Sequence, residues 1–320
     1  MFFGQSRILT PLNSEPYTAN EGLMHISFRV ALAVVALSAA SSTTWLSAQG
    51  ENRERTLFVS AVDSKGEPVD GLGPEAFVVR EDGRRREILR VSRASEPMDL
   101  ALLADNSQAA SQDFTFIREG LSAFVAAMGG QHRIALIGLA ERPTILVPYT
   151  TDSAPLSAAI GRFFPIAGSG MTLLDGLYEA SRGLRRNDSV RAAFVPVITD
   201  GVEFTNRYAK DIVRELRESG IALHAVTIGR FPYSDEHSRR EREFLLGEAP
   251  KATGGQRITL LAPHALQATM QRLARELSSQ YKVVYGRPDS RYGGTVEISS
   301  GRKGLTVRGT PARNETGATR

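Results

Sequence analysis

Apolar residues along this chain follow two different periodicities, and the periodicity changes with position. In the middle of the sequence, continuous apolar runs such as 100–104 and 194–198 alternate with segments whose apolar residues recur every three or four positions, such as 113–128. Continuous runs are typical of strands buried on both faces, and the three-to-four spacing is typical of helices packed against a sheet. The central pattern therefore predicts an α/β fold with a doubly wound, mostly parallel sheet.

Both ends of the chain show a different pattern, in which short strands alternate apolar and polar residues. At the N-terminal end we predict strands at 56–63, 75–83 and 86–92, with a hairpin turn at Asp82-Gly83. At the C-terminal end we predict strands at 281–285, 295–299 and 304–308. Because neither β segment buries much surface alone, we expect the two to pair into one small β-sandwich. The α/β domain would then be inserted in this sandwich or flanked by it.

These patterns divide the chain into five parts. We predict a leader at 1–49 that contains a signal peptide at 24–49, N-terminal β-strands at 50–95, the α/β domain at 96–280, C-terminal β-strands at 281–310 and a polar, frayed tail at 311–320.

The leader has the three parts of a secretory signal peptide. A basic start at Met24 is followed by an apolar run at 30–37 and by a small-residue end. The apolar run is far shorter than the ~20 residues that span a bilayer. We expect cleavage after Ala48 or Gln49 and a secreted, periplasmic or cell-envelope protein. A retained anchor is the alternative, and Met24 is a candidate for the true start. We predict no other membrane span.

Composition changes this picture little. The formal net charge is +4, and the chain has no cysteine, so no disulfide contributes to its stability. No basic stripe with interleaved aromatic residues is present, and we therefore expect no nucleic-acid partner. His224 lies inside an apolar strand, and we interpret it as a core histidine with satisfied hydrogen bonds.

Four oxygen-bearing side chains follow the predicted buried strands or begin the helix behind them. Asp105 and Ser107 come directly after one strand, Asp200 follows another, and Thr172 begins a helix after a Gly-rich loop. Ligands of open α/β sheets bind outside the carboxyl ends of the strands. Carboxylate and hydroxyl oxygens suit Mg²⁺. We therefore predict that these four residues converge as the ligands of a divalent cation.

These residues and their order resemble the von Willebrand factor type A domain and its metal-ion-dependent adhesion site, over roughly residues 99–280. The family pattern is Asp-x-Ser-x-Ser, followed by a distant Thr and a distant Asp. Here Asp105, Ser107, Thr172 and Asp200 match it, and Ala109 stands where the second serine belongs. The resemblance implies a bound Mg²⁺ or Mn²⁺ that bridges to an Asp or Glu carboxylate of a protein partner, with roles in binding or adhesion.

The position of Ala109 weakens the predicted site, since a methyl group cannot bind a cation. Asn106, Ala109 and Gly201 are predicted to line the site without serving as ligands. We expect a water molecule to replace the missing hydroxyl, with the carboxylates of Asp105 and Asp200 acting partly through water. A metal-free structural or interaction scaffold of the cell envelope is the main alternative function.

The flanking strands resemble those of a bacterial, acidobacterial-type family of secreted proteins related to von Willebrand factor A. The shared motifs are Asp-x-x-Gly-x-Pro-Val at 63–69 and Phe-x-Val-x-Glu-Asp-Gly near 77–83, here Phe-Val-Val-Arg-Glu-Asp-Gly. The chain contains no nucleophile elbow, zinc-protease helix or phosphate loop. We therefore identify no catalytic residue and predict that the protein is not an enzyme, with a hydrolase as a minor alternative. The partner-binding residues stay unidentified.

Overall fold

Three β-sheets and six α-helices organise the residues that the computed structural model describes, which are 54–229, 236–287 and 295–313. The strands are β1 (Glu54–Val62), β2 (Phe77–Glu81), β3 (Arg84–Arg86), β4 (Ile88–Arg93), β5 (Met98–Ala104), β6 (Arg133–Gly138), β7 (Thr144–Thr150), β8 (Arg191–Ile198), β9 (Ile221–Ile228), β10 (Gln256–Leu260), β11 (Tyr281–Gly286), β12 (Val296–Ser300) and β13 (Thr306–Pro311). The helices are α1 (Phe114–Met128), α2 (Ser153–Arg162), α3 (Leu173–Leu184), α4 (Ala209–Glu218), α5 (Glu236–Thr253) and α6 (Leu266–Ser278). The predicted signal peptide, its cleavage site and residues 314–320 lie outside the described residues.

The largest sheet has six strands in the order β10-β9-β8-β5-β6-β7, and all are parallel except β7, which pairs antiparallel with β6. Strand β5 lies near the middle, and all seven of its residues are buried. Its side chains alternate between the two faces. Leu100 and Leu102 pack with α1, α2 and α6, whereas Ala101 and Leu103 pack with α3, α4 and α5. The predicted α/β fold class is confirmed.

The two smaller sheets are antiparallel, with strand orders β13-β1-β11-β4 and β12-β2-β3. Strands from both ends of the chain pair directly, because β1 lies between β11 and β13, and β12 pairs with β2. The apolar faces of the two sheets share one core, in which Val59, Phe77, Val79 and Val283 are buried. The expected small β-sandwich is therefore present beside the α/β sheet, while the exact domain boundaries stay a prediction.

The prediction of one continuous strand at 86–92 is wrong, because two separate strands, β3 and β4, cover this segment. Strand β3 pairs with β2, whereas β4 pairs with β11 in the other sheet, and the chain changes sheets at Glu87. The Glu87 carbonyl oxygen accepts a hydrogen bond from Gly286 N at the start of that second pairing. The Asp82-Gly83 turn is confirmed, since both residues have the positive φ values, 51° and 75°, of a tight hairpin.

Two further elements of the α/β domain were hard to delimit from sequence. Strand β10 was not predicted, because an edge strand that is only partly buried carries little apolar signal. Helix α5 continues past Gly247 to Thr253, since Leu246, Ala249 and Pro250 are buried and extend its apolar face. None of the helices in the described residues is long and apolar enough to cross a membrane.

His224 is fully buried in β9, but the prediction that its hydrogen bonds are satisfied is wrong. Neither ring nitrogen has a hydrogen-bond partner among the described residues. Burial lowers the pKa of His224 to about 4, which keeps the ring neutral at physiological pH.

The first residues of the predicted tail are ordered. Ala312 N donates to Thr56 O at 3.0 Å, and the Arg313 guanidinium donates to the backbone oxygens of Leu184, Asn187 and Ser189 at 2.7–3.3 Å. The prediction that fraying begins at residue 311 is therefore wrong, because these contacts fix the chain through Arg313.

Candidate metal-binding site

The two carboxylates of the predicted site follow neighbouring parallel strands. Asp105 follows β5 and Asp200 lies two residues beyond the end of β8, and these two strands pair directly, with Ala104 opposite Val197. Asp105 N donates to Val197 O at 2.9 Å, which extends the pairing by one residue. The carboxyl ends of the two strands therefore bring both acids to one edge of the sheet.

The Asp105 carboxylate is fully buried and already accepts three hydrogen bonds. Oδ1 accepts from Ser107 N at 2.8 Å, and Oδ2 accepts from Thr199 N at 3.1 Å and from the Thr199 hydroxyl. An ionised carboxylate offers about four acceptor positions. Asp105 is therefore fixed in orientation and retains about one position for a cation or for a water bound to one.

The Ser107 hydroxyl lies against Gly201 and Ala109. A methyl group at position 201 would lie 2.9 Å from Ser107 Oγ, 3.1 Å from Ala109 Cβ and 3.7 Å from Asp105 Oδ2. Ser107 is fully buried, and its Oγ has no hydrogen-bond partner among the described residues. A buried hydroxyl without a partner costs about 1–3 kcal/mol. Ser107 therefore presents an unused oxygen beside a carboxylate, in a gap that only glycine at position 201 leaves open.

Thr172 precedes α3 and is 4% exposed. Its hydroxyl and its backbone N–H both donate to Leu139 O, at 2.7 and 2.8 Å. Because the hydroxyl proton points to that carbonyl, the oxygen lone pairs point elsewhere and can accept or bind a cation. Leu139 N in turn donates to Asn106 Oδ1 at 3.0 Å, so Thr172 is tied to the loop that carries Asp105 and Ser107.

Asp200 is the less buried of the two acids. Burial raises its pKa above the ordinary value, and the negative charges of Asp113 and Asp105 raise it further. Its Oδ2 faces Gly229 at the end of β9, where a methyl group at position 229 would lie 3.6 Å away. Asp200 and Asp105 are therefore close enough for each to feel the other's charge.

The predicted lining residues mainly hold the loops together. Asn106 Oδ1 accepts from Leu139 N and Ala140 N at 3.0 and 2.9 Å, and Asn106 O accepts from Ile166 N at 2.8 Å. Gln108 also joins two loops, since its Oε1 accepts from Gly168 N at 2.8 Å. Asn106 lines an adjacent cavity of about 290 Å³.

Three residues of this edge were not predicted from the sequence. Thr199 orients Asp105, and its only signal was its place directly before Asp200. Glu203 Oε1 accepts from Leu174 N at 3.1 Å, so it supports the helix behind Thr172, and burial raises the pKa of Glu203 to about 8. Arg242, from α5, donates to Gly201 O. Glu203 belongs to no recognisable motif, and Arg242 is distant in sequence from the other residues of the site.

The structure therefore groups the predicted residues unevenly. Asp105, Ser107, Ala109 and Gly201 lie together, Asp200 interacts electrostatically with Asp105, and Thr172 is joined through Leu139. Within the described part of the chain, no cluster of three or more His, Asp or Glu side chains is placed to hold a metal ion. The donor set of two carboxylates and two hydroxyls, one of them unpartnered, fits a hard divalent cation that keeps several waters.

Comparison with known families agrees with the fold. Residues 99–248 match the family described as von Willebrand factor type A domain. The chain is a von Willebrand factor type A domain protein, with this domain in its α/β part. No curated protein matches the sequence.

Several solved structures match part of this chain. A von Willebrand factor type A protein from Catenulispora acidiphila has 12% identity and a TM-score of 0.49, over 82% of this chain and 74% of that one. BatB from Bacteroides thetaiotaomicron, described as a conserved hypothetical protein, has 18% identity and a TM-score of 0.44, over 57% and 100%. Proximal thread matrix protein 1 from the mussel byssus, with a zinc-occupied MIDAS motif, has 12% identity and a TM-score of 0.47, over 65% and 50%.

Proposed function

We propose that this protein is exported and mediates protein–protein binding or adhesion through its von Willebrand factor type A domain. A divalent cation, Mg²⁺ or Mn²⁺, would be held at the edge formed by Asp105, Ser107, Thr172 and Asp200. A cation there supplies a coordination position that an Asp or Glu carboxylate of a partner protein can fill. The observation that carries this proposal is the Ser107 hydroxyl, which is buried beside Asp105 with no partner among the described residues.

The two acids and the two hydroxyl residues would have different roles at the cation. Asp105 and Asp200 supply negative charge, and the three hydrogen bonds on Asp105 favour contact through water over direct contact. Ser107 and Thr172 supply hydroxyl oxygens. Thr172 is prepared for this role, since its proton is already donated to Leu139 O.

The surface around this edge suits a protein partner. Phe164, Val202 and Phe204 are exposed large apolar side chains on the loops next to the site, with Phe164 at 67%. Phe204 N donates to Met171 O at 2.7 Å, which places it beside Thr172. Exposed apolar residues rimmed by polar groups are typical of interaction sites. A partner could therefore bury apolar contacts around a central carboxylate.

A metal-free interaction scaffold of the cell envelope is the second candidate function. Ala109 favours it, because its Cβ lies where a hydroxyl ligand would otherwise face Gly201. In that case the same apolar rim would bind the partner without a bridging ion.

Cation titration of the chain covering residues 50–320 separates the two. Mn²⁺ binding, measured by calorimetry and electron paramagnetic resonance, should weaken on the order of 10–100-fold in Ser107→Ala. The same variant should unfold in EDTA at no lower temperature than wild type, because its hydroxyl loses no hydrogen bond. Glu119→Gln, at an exposed position of α1, is the control and should bind as wild type does.

A second variant tests the charge. Asp105→Asn keeps the shape of the side chain but removes its charge, and it should abolish Mn²⁺ binding. Addition of acetate or a short Asp-containing peptide should then change the Mn²⁺ spectrum only in the wild type. Identical titrations of wild type, Ser107→Ala and Asp105→Asn would instead favour the metal-free scaffold.

A further inference from the structure

A fully buried arginine lies directly behind the candidate site. Arg242, on α5, is 0% exposed and donates a hydrogen bond through Nη1 to Gly201 O. Gly201 is also the residue whose Cα side faces Ser107 Oγ and Asp105 Oδ2. Gly201 therefore lies between the Arg242 guanidinium and two of the predicted cation ligands, Ser107 and Asp105.

Four carboxylates act on this guanidinium. Burial lowers the pKa of Arg242, while the charges of Glu203, Glu243, Asp105 and Asp200 oppose that shift. Two of the four have other partners as well. Glu243 pairs with Arg257 at 3.1 Å, and Glu203 accepts hydrogen bonds at the start of α3.

The two remaining acids are the charges of the site itself. The three hydrogen bonds that Asp105 accepts come from Ser107 N and from the N–H and hydroxyl of Thr199, which are all neutral donors. The charges that act on Asp200 are two acids, Asp113 and Asp105, and one cation, Arg242. Within the described residues, Arg242 is thus the cation that offsets the negative charge of this edge.

We propose that Arg242 is a built-in positive charge that partly replaces the divalent cation. It would hold the Gly201 loop in place, keep the two strand-end carboxylates together without metal, and lower the affinity of the site for Mg²⁺ or Mn²⁺. The part that concerns metal affinity rests on the proposed function, whereas the part that concerns the metal-free site does not.

The physical reason is the mutual repulsion of Asp105 and Asp200. Two carboxylates at one partly buried edge repel each other, and a cation-binding site normally relieves this repulsion only when the ion is present. A fixed guanidinium relieves it permanently, but it also repels an incoming divalent ion. Arg242 and Ala109 would therefore both lower the affinity for a divalent cation. Arg242 adds a charge that repels the ion, and Ala109 lacks the hydroxyl oxygen of a ligand serine.

A double-mutant cycle in EDTA tests the metal-free part. Because Glu203 has a pKa of about 8 and would change its protonation when Arg242 is removed, all variants carry Glu203→Gln, which keeps that position neutral throughout. In that background, Asp200→Asn should raise the melting temperature only a little when Arg242 is present, because the lost attraction offsets part of the relief from burial and repulsion. It should raise the melting temperature more in the Arg242→Met background, because no attraction is then lost while burial and the repulsion from Asp105 and Asp113 are still relieved. Arg239→Met, at an exposed position of the same helix, should leave the effect of Asp200→Asn unchanged.

Titration with Mn²⁺ tests the other part. Arg242→Met in the Glu203→Gln background should tighten Mn²⁺ binding on the order of tenfold relative to Glu203→Gln alone. Equal or weaker binding would overturn the claim that Arg242 opposes the ion. An Asp200→Asn effect of the same sign and size in both backgrounds in EDTA would overturn the whole inference. If no variant binds Mn²⁺ but Asp200→Asn raises the melting temperature more in the Arg242→Met background in EDTA, Arg242 still offsets the charge of Asp200 and the metal-bridged function fails.

Discussion

Arg308 and Glu276 form an ion pair at 2.7 Å that joins strand β13 of the sandwich to helix α6 of the α/β domain. Both side chains are largely buried, and Glu276 also accepts a hydrogen bond from Gln256 Nε2 at 2.8 Å. A second link lies nearby, where Arg191 donates to Gln280 Oε1 at 2.9 Å and Gln280 donates to Ser60 Oγ at 3.2 Å. The sandwich and the domain therefore share buried polar contacts that stabilise one another.

Loss of Arg308 should destabilise the whole chain. Arg308→Met leaves Glu276 buried without its cationic partner, and breaking such a pair from one side costs about 3–5 kcal/mol. Urea unfolding should show this fall in the free energy of unfolding. Arg302→Met, at an exposed turn position, is the matched control. The double variant Arg308→Met/Glu276→Gln should recover most of the loss, and a loss that the double variant retains in full would contradict an electrostatic cause.

The same pair should make stability depend on pH in acid. Burial favours a higher pKa for Glu276, but His224, Arg308 and hydrogen bonds to the carboxylate outweigh burial and lower the pKa below 4.5. A lowered acid pKa contributes stability that is fully present above 4.5 and is lost as the pH falls through the folded-state pKa. The free energy of unfolding of wild type should therefore fall between about pH 4.5 and pH 2 more steeply than that of Glu276→Gln. Parallel curves for the two proteins would refute this.

The sequence predicted elements well where periodicity was strong. Strand β5 and helix α3 have continuous or strictly periodic apolar patterns, and both lie where they were expected. It failed at the sheet change at Glu87, because alternation continues through that residue while the pairing partner switches from β2 to β11. Pairing partners are tertiary information, and a local pattern does not contain them.

The site was predictable only in part, for a similar reason. Asp105, Ser107 and Asp200 follow strands, so sequence order alone places them at one edge. Arg242 lies in a helix of highly charged residues, and nothing local distinguishes it from its exposed neighbours Arg239 and Arg240. Only the packing of α5 against β9 and β10 turns this one arginine inward. Buried charges supplied from a distant element therefore escape motif-based prediction.

Export leads to a prediction about the mature N-terminus. The pattern at 24–49 predicts that the protein from its native host begins near Gln49 or Gly50, because the apolar run at 30–37 is too short to remain as a bilayer span. Edman sequencing or intact-mass measurement of the protein from the extracytoplasmic fraction checks this. A mature chain that still contains 30–37 and sediments with membranes would indicate a retained anchor instead.

Restoring the missing hydroxyl should strengthen the candidate site. Ala109 Cβ lies 3.1 Å from the position that a methyl group at residue 201 would take, and Ser107 Oγ lies 2.9 Å from the same position. A hydroxyl on residue 109 would therefore enter the space that Ser107 already faces, next to Asp105. Ala109→Ser should tighten Mn²⁺ binding on the order of 10–100-fold, by analogy with the loss that supporting groups cause when they are removed.

The gain in Mn²⁺ affinity from Ala109→Ser should depend on Asp105. In EDTA, Ala109→Ser should be slightly less stable than wild type, because a second hydroxyl without a cation adds an unsatisfied polar group at a half-buried position. Saturating Mn²⁺ should reverse that order, since the ion binds the folded state more tightly and stabilises it in proportion to its affinity. Adding Asp105→Asn to Ala109→Ser should remove the reversal. If Ala109→Ser melts at the same temperature with EDTA and with millimolar Mn²⁺, residue 109 does not face a cation, and the carboxylate-bridging mechanism loses its structural basis.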